Sequence, residues 1–151
     1  MKKVYIQKSE ISDYIKNSLQ GKGVEFTDEN DADIIVYDDF KGKISDNCIN
    51  IHPSLLPAFE GENAIERAFS AGVKVSGVTI LKGDKIIAQY PVLIGIETHM
   101  DEFIQDIIDV EKRLVPPVVE AVVNDRVFDF QDLFRNPCSH KGGCGGCNHC
   151  S

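Results

Sequence analysis

The sequence predicts an α/β fold: a truncated, Rossmann-like, mostly parallel sheet with flanking helices, followed by a Cys-rich C-terminal tail. Three observations carry this. A β-rich run, a helical run and two further β-rich runs succeed one another before residue 40, the order of half a doubly wound sheet. The run Asp31-Ala32-Asp33-Ile34-Ile35-Val36-Tyr37 has the continuous apolar middle of a strand buried on both faces. After Asn136-Pro137 the large apolar residues vanish and four cysteines crowd into the end of the chain. These divisions give a domain over residues 1–130 and an appendage over 136–151. With 151 residues, 42% hydrophobic and 26% charged, the chain suffices for one core of ordinary size.

In order, Lys3-Val4-Tyr5-Ile6 reads as a strand. Ser9 is placed to cap a helix from about residue 10 to 20, where Ile11, Tyr14, Ile15, Ser18 and Leu19 follow helical spacing. Gly21-Lys22-Gly23 stops it and Val24-Glu25-Phe26 opens a second strand before the third at 31–37. Residues 62–71 form a helix with Ala64, Ile65, Ala68 and Phe69 on one face and Gly72 beyond its end. Two strands, 73–81 and 85–92, flank a tight turn at Lys82-Gly83-Asp84. Residues 97–124 give the longest helical pattern, with Thr98 as cap, an apolar stripe through Phe103, Ile104, Ile107, Ile108 and Val110, and an interruption at Pro116-Pro117. Asp101, Glu102, Asp106, Asp109 and Glu111 read as its solvated face. Val127-Phe128-Asp129-Phe130 reads as an edge strand.

The chemistry concentrates at Asn50-Ile51-His52-Pro53-Ser54-Leu55-Leu56-Pro57. Asn50 and His52, two apart at a strand end that Pro53 terminates, project to one side, where an amide and an imidazole can meet one small group. An imidazole moves protons near neutral pH, and an amide donates to a developing oxyanion. A capping histidine and a turn asparagine fit the same pattern.

The run Ile49 to Pro57, followed by Phe59-Glu60-Gly61, an Ala-rich helix, Ala71-Gly72-Val73-Lys74, Gly77-Val78-Thr79, Ile86-Ile87-Ala88-Gln89 and Pro91-Val92, resembles the folate-dependent formyltransferases, nearest to their phosphoribosylglycinamide branch. The resemblance covers about residues 47 to 125. It implies a formyltransferase-type sheet, 10-formyltetrahydrofolate or a related one-carbon donor, and an amine acceptor. Asn50 and His52 match two of the family's catalytic residues. The family's third, an aspartate, belongs to a loop that is largely missing between the two strands here; Asp84 is the carboxylate nearby and is a candidate substitute as well as a turn former. The family's glycine-rich phosphate turn corresponds to Gln7-Lys8-Ser9-Glu10, which holds no glycine; Lys8 is a candidate for a smaller anion or a solvated surface lysine. A catalytically degenerate relative that binds or regulates is the competing expectation.

The tail spacing C-x5-C-x2-C-x2-C sets Cys138, Cys144, Cys147 and Cys150 as a soft-metal site for zinc or an iron–sulfur cluster, with His140 and His149 as alternative zinc ligands. A low-complexity, redox-labile end without metal is the other reading. The formal net charge of −8 opposes attraction to phosphate backbones, so a small-molecule amine rather than a nucleic acid is the expected partner. No apolar run approaches the roughly 20 residues of a membrane span, and Met1-Lys2-Lys3 does not open a secretory signal. A cytoplasmic protein is the resulting expectation, with the oligomeric state left open.

Overall fold

The computed structural model describes residues 1–38 and 45–134. The strands are β1 (Lys2–Ile6), β2 (Val24–Phe26), β3 (Ile34–Asp38), β4 (Cys48–His52), β5 (Val75–Lys82) and β6 (Lys85–Leu93), and the helices are α1 (Ser12–Leu19), α2 (Ala64–Ala71) and α3 (Met100–Val123). All six strands form one sheet in the order β2-β1-β3-β4-β5-β6. The pairs β1–β2, β1–β3 and β3–β4 are parallel. A β5–β6 hairpin adds two antiparallel pairs at the β4 edge. The α/β architecture with a mostly parallel sheet and flanking helices is therefore observed.

The strand sequences explain which face is which. Alternate residues project to one side, and Val4, Ile6, Ile34, Val36, Ile49, Ile51, Val78 and Ile80 are all buried in one cluster. That cluster includes Ile11 just before α1, Ile15 and Leu19 of α1, and Phe103, Ile107, Leu114 and Val118 of α3. The helices shield this face from water. The opposite positions on β4 fall to Cys48, Asn50 and His52.

Several local expectations change. α1 starts at Ser12, not 10, because the Ser12 hydroxyl accepts from Ser9 N at 3.1 Å and donates to Ser9 O at 2.8 Å, holding the preceding turn outside the helix. Thr98 does not cap α3: its hydroxyl accepts from Gly95 N at 3.0 Å, and His99 takes the cap position in extended backbone. α3 runs through Pro116 and Pro117 without a break. Leu114, Val115, Val118 and Val119 around them are fully buried. Four such burials, at about 1.5–3 kcal/mol each, match or exceed the roughly 3 kcal/mol that each of the two prolines costs inside a helix. Glu111 is not on the solvated face; it is buried on the stripe of Phe103, Ile107, Leu114 and Val118.

Residues 127–130 form no edge strand. The chain enters a 3-10 turn at Phe130–Leu133, where Asp129 accepts from Gln131 N at 3.0 Å. Phe130 and Phe134 instead pack on Tyr90, with ring centroids 5.9 and 5.6 Å away. Arg113 donates to the Tyr90 hydroxyl at 2.8 Å and lies over both Tyr90 and Phe134. Such ring pairs are worth about 0.5–1.5 kcal/mol each beyond the area they bury. No helix among the described residues is long and apolar enough to cross a membrane.

Candidate functional site

β4 ends where Pro53 withdraws a backbone donor, and its last residues form the candidate site. Ile49 and Ile51 anchor the strand in the core, so Asn50 and His52 are held on the other face. Asn50 is only 8% exposed and His52 is half-buried. Register extends this face sideways. Tyr37 on β3 lies opposite Asn50. Thr79 on β5 lies opposite His52, and Gln89 on β6 lies opposite Thr79.

The segment after β4 folds back over that row. Thr79, fully buried, donates its hydroxyl to Ser54 O at 2.6 Å and accepts from Leu56 N at 3.0 Å. Gln89 Nε2 donates to Leu56 O at 2.9 Å and to the Thr79 hydroxyl at 3.2 Å. The Ser54 hydroxyl donates to Ala58 O at 2.8 Å. The Leu56-Pro57 bond in this segment is cis. Phe59 brings its carbonyl 3.2 Å from His52 Nε2. Arg67 of α2 donates to Phe59 O, Glu60 O and Glu62 O at 3.0, 2.6 and 2.9 Å.

Thr79, Gln89 and Arg67 carry this arrangement, and sequence reading gave none of them a role. The signal for the first two is hairpin register. A regular hairpin from the Lys82↔Lys85 pair would set Ala88 opposite Thr79, but a bulge at Ile80/Leu81 brings Gln89 there. Beside Asn50, Tyr37 donates its hydroxyl to Glu29. That bond first, and burial second, push the phenol up to about 12.

Asp84 is not brought to this site. It sits in the β5–β6 turn, whose Gly83 N donates to Cys48 O at 2.9 Å at the opposite end of β4 from His52. Four residues of strand, about 13 Å, separate the two ends. The Asp84 side chain is exposed, in keeping with a turn former. Lys8 is exposed as well, and the end of β1 is closed by Gln7, whose side chain accepts from Asp38 N at 3.0 Å. Cys48 is buried with Sγ 3.1 Å from the Ser45 hydroxyl. Cys138, Cys144, Cys147 and Cys150, with His140 and His149, lie outside the described residues. Among the described residues no group of three or more His, Cys, Asp and Glu could hold a metal ion.

Comparison with known proteins places this strand end in a wider group. The family model described as Formyl transferase matches residues 33–119, from β3 through most of α3. The phosphoribosylglycinamide formyltransferase of Bacillus subtilis (strain 168) is 40% identical over 90 residues, covering 56% of this chain and 44% of that protein. The methionyl-tRNA formyltransferase of Thermotoga neapolitana is 40% identical over 76 residues, 50% of this chain and 24% of that one. The chain thus spans less than half the length of these curated relatives. The same fold occurs in the formyltransferase PseJ from Anoxybacillus kamchatkensis, solved with UDP-4,6-dideoxy-4-formamido-L-AltNAc and tetrahydrofolate. It aligns at a TM-score of 0.69 and 18% identity over 85% of this chain and 79% of that one. With more than half its length matched by the family model, the chain belongs to the formyl transferase family.

Proposed function

We propose that this protein transfers a formyl group from 10-formyltetrahydrofolate, or a related one-carbon donor, to an amine. The observation that carries the reading is the pair Asn50 and His52 on one face of the β4 end, inside the family-matched segment. A relative solved with tetrahydrofolate supports the donor class. The residues present fit a formyl group, which needs one donor at its oxygen and one proton carrier at its nitrogen partners.

In this reading the amine lone pair attacks the formyl carbon and the carbonyl π pair moves to oxygen, where the Asn50 amide N–H donates. His52 takes the proton from the attacking nitrogen. As the carbonyl re-forms, the carbon–nitrogen bond to the donor breaks. Its electron pair stays on the donor nitrogen, which receives the proton from His52. Burial of Asn50 holds its amide without reorganisation, the condition under which such a donor is effective.

For the acceptor we favour a small-molecule amine, because a net charge of −8 gives phosphate backbones no general attraction. The methionyl-tRNA formyltransferase relatives make a charged tRNA the acceptor to test against it. Purified protein incubated with 10-formyltetrahydrofolate and either small primary amines or methionyl-tRNA should release tetrahydrofolate with the former. His52→Ala and Asn50→Ala should each slow transfer by roughly 10²-fold or more while the fold survives. Wild-type protein that neither binds a reduced folate nor transfers to any amine defeats the proposal in favour of a non-catalytic binding or regulatory relative.

A further inference from the structure

Phe59 stands in the left-handed region at φ 54, a conformation that costs a non-glycine residue free energy and persists only where its surroundings impose it. Here the imposing group is Arg67 of α2. The Arg67 guanidinium collects the carbonyls of Phe59, Glu60 and Glu62 with its Nε and one terminal nitrogen, and it lies 5.9 Å from the centre of the Phe59 ring. A planar fork of fixed donors can gather successive carbonyls in this way, whereas a lysine ammonium has no such geometry. The turn it gathers directs Phe59 O at His52 Nε2, 3.2 Å away.

A carbonyl oxygen only accepts, and it has room for two donors. With Arg67 filling one lone pair, the other accepts from His52, so His52 Nε2 carries a hydrogen. We propose that Arg67 is a positioning residue that acts through the Phe59 carbonyl. It fixes His52 as the Nε2–H tautomer and leaves Nδ1 as the nitrogen whose lone pair takes and returns the proton. Its catalytic consequence rests on the formyl-transfer reading; the tautomer and its dependence on Arg67 do not. Among the described residues His52 Nδ1 has no hydrogen-bond partner. Arg67 is exposed and mid-helix in α2, so replacing it removes the clamp without opening the core.

The test is a long-range proton–nitrogen correlation spectrum of protein labelled with 15N-histidine, recorded without donor or acceptor. The His52 signals are assigned by their loss in His52→Gln. In the neutral ring of the wild-type protein, His52 should show one tautomer, Nε2 protonated and Nδ1 bare. Arg67→Ala should replace that pattern with a mixture, while the His99 signals stay in place. Arg67→Lys, which keeps the charge but not the fork, should resemble Arg67→Ala. A wild-type His52 protonated on Nδ1, an unchanged tautomer in Arg67→Ala, or full rescue by Arg67→Lys overturns the proposal. Because no turnover is measured, an inactive protein that passes this test would defeat the formyl-transfer reading and leave the role of Arg67 standing.

Discussion

Tyr37 and Asn50 are neighbours across the β3–β4 pairing, yet the phenol is turned to Glu29. Only the protonated phenol donates to that carboxylate, so folding binds the proton more tightly and the folded value, about 12, exceeds the ordinary 10.0. A raised folded value gives stabilisation that is complete below the unfolded value and lost as pH rises through 10 toward 12. Tyr37→Phe should therefore be less stable than wild type near neutrality and lose less stability on going to pH 11 or so. Urea midpoints of both proteins at the two pH values check this, and parallel losses would defeat it. At this scale the sequence was legible where side chains carry the pattern. Asn50 and His52 showed through period two before a proline. Thr79 and Gln89 did not, because the bulge that aligns them has no sequence mark. Nor did Arg67, whose partners are main-chain carbonyls that any residue supplies. Glu111 departs from the solvated face because its place in the helical spacing of Phe103, Ile107 and Leu114, and not its charge, sets its burial.

Elements were read best where burial on both faces or a glycine stop leaves one solution. β3, with Ile34, Val36 and Tyr37 buried, and the hairpin at Gly83 are such cases, and Gly72, at φ 73, ends α2 as its position predicts. Boundaries decided by tertiary contact were not readable: α3 outlasts two prolines because of what it buries, and residues 127–130 pair with no strand while Phe130 packs on the Tyr90 ring of β6. The element that links scaffold to site is β5. It carries Thr79 toward the 53–59 segment, and two residues earlier it has Gly77. A Cβ added there would stand 2.1 Å from Tyr90 O and 2.7 Å from Leu55 Cδ2. Tyr90 O belongs to the paired strand, so relief requires parting β5 from β6 or lifting Leu55 from the sheet. Gly77→Ala should cost on the order of 1–3 kcal/mol by chemical denaturation and, through Leu55, disturb the turn at His52. A variant as stable as wild type would show that this close approach is not needed.

Across the whole molecule the division of labour is between two faces of one sheet: helices and apolar side chains on one, Asn50 and His52 on the other. The cysteine-rich end lies beyond the last described residue, 134, so its prediction stands on chemistry alone. Fixing about a dozen residues around one centre costs at around 1 kcal/mol or more each. Residues 138–151 contain no large apolar side chain with which to offset that. Four thiolates can do so, since metal–thiolate binding is itself folding free energy. Gly142, Gly143, Gly145 and Gly146, four of the residues between Cys138 and Cys147, carry no Cβ to oppose a tight bend. Protein purified anaerobically should then carry bound metal. Zinc without sulfide would mark a structural site, and iron with acid-labile sulfide a cluster. Replacing Cys144 and Cys147 by Ser should abolish that metal while leaving the 1–130 sheet folded, because no group of that sheet able to hold a metal is found among the described residues. Metal content unchanged by the double replacement would remove the tail as the ligand and leave its thiols to redox chemistry.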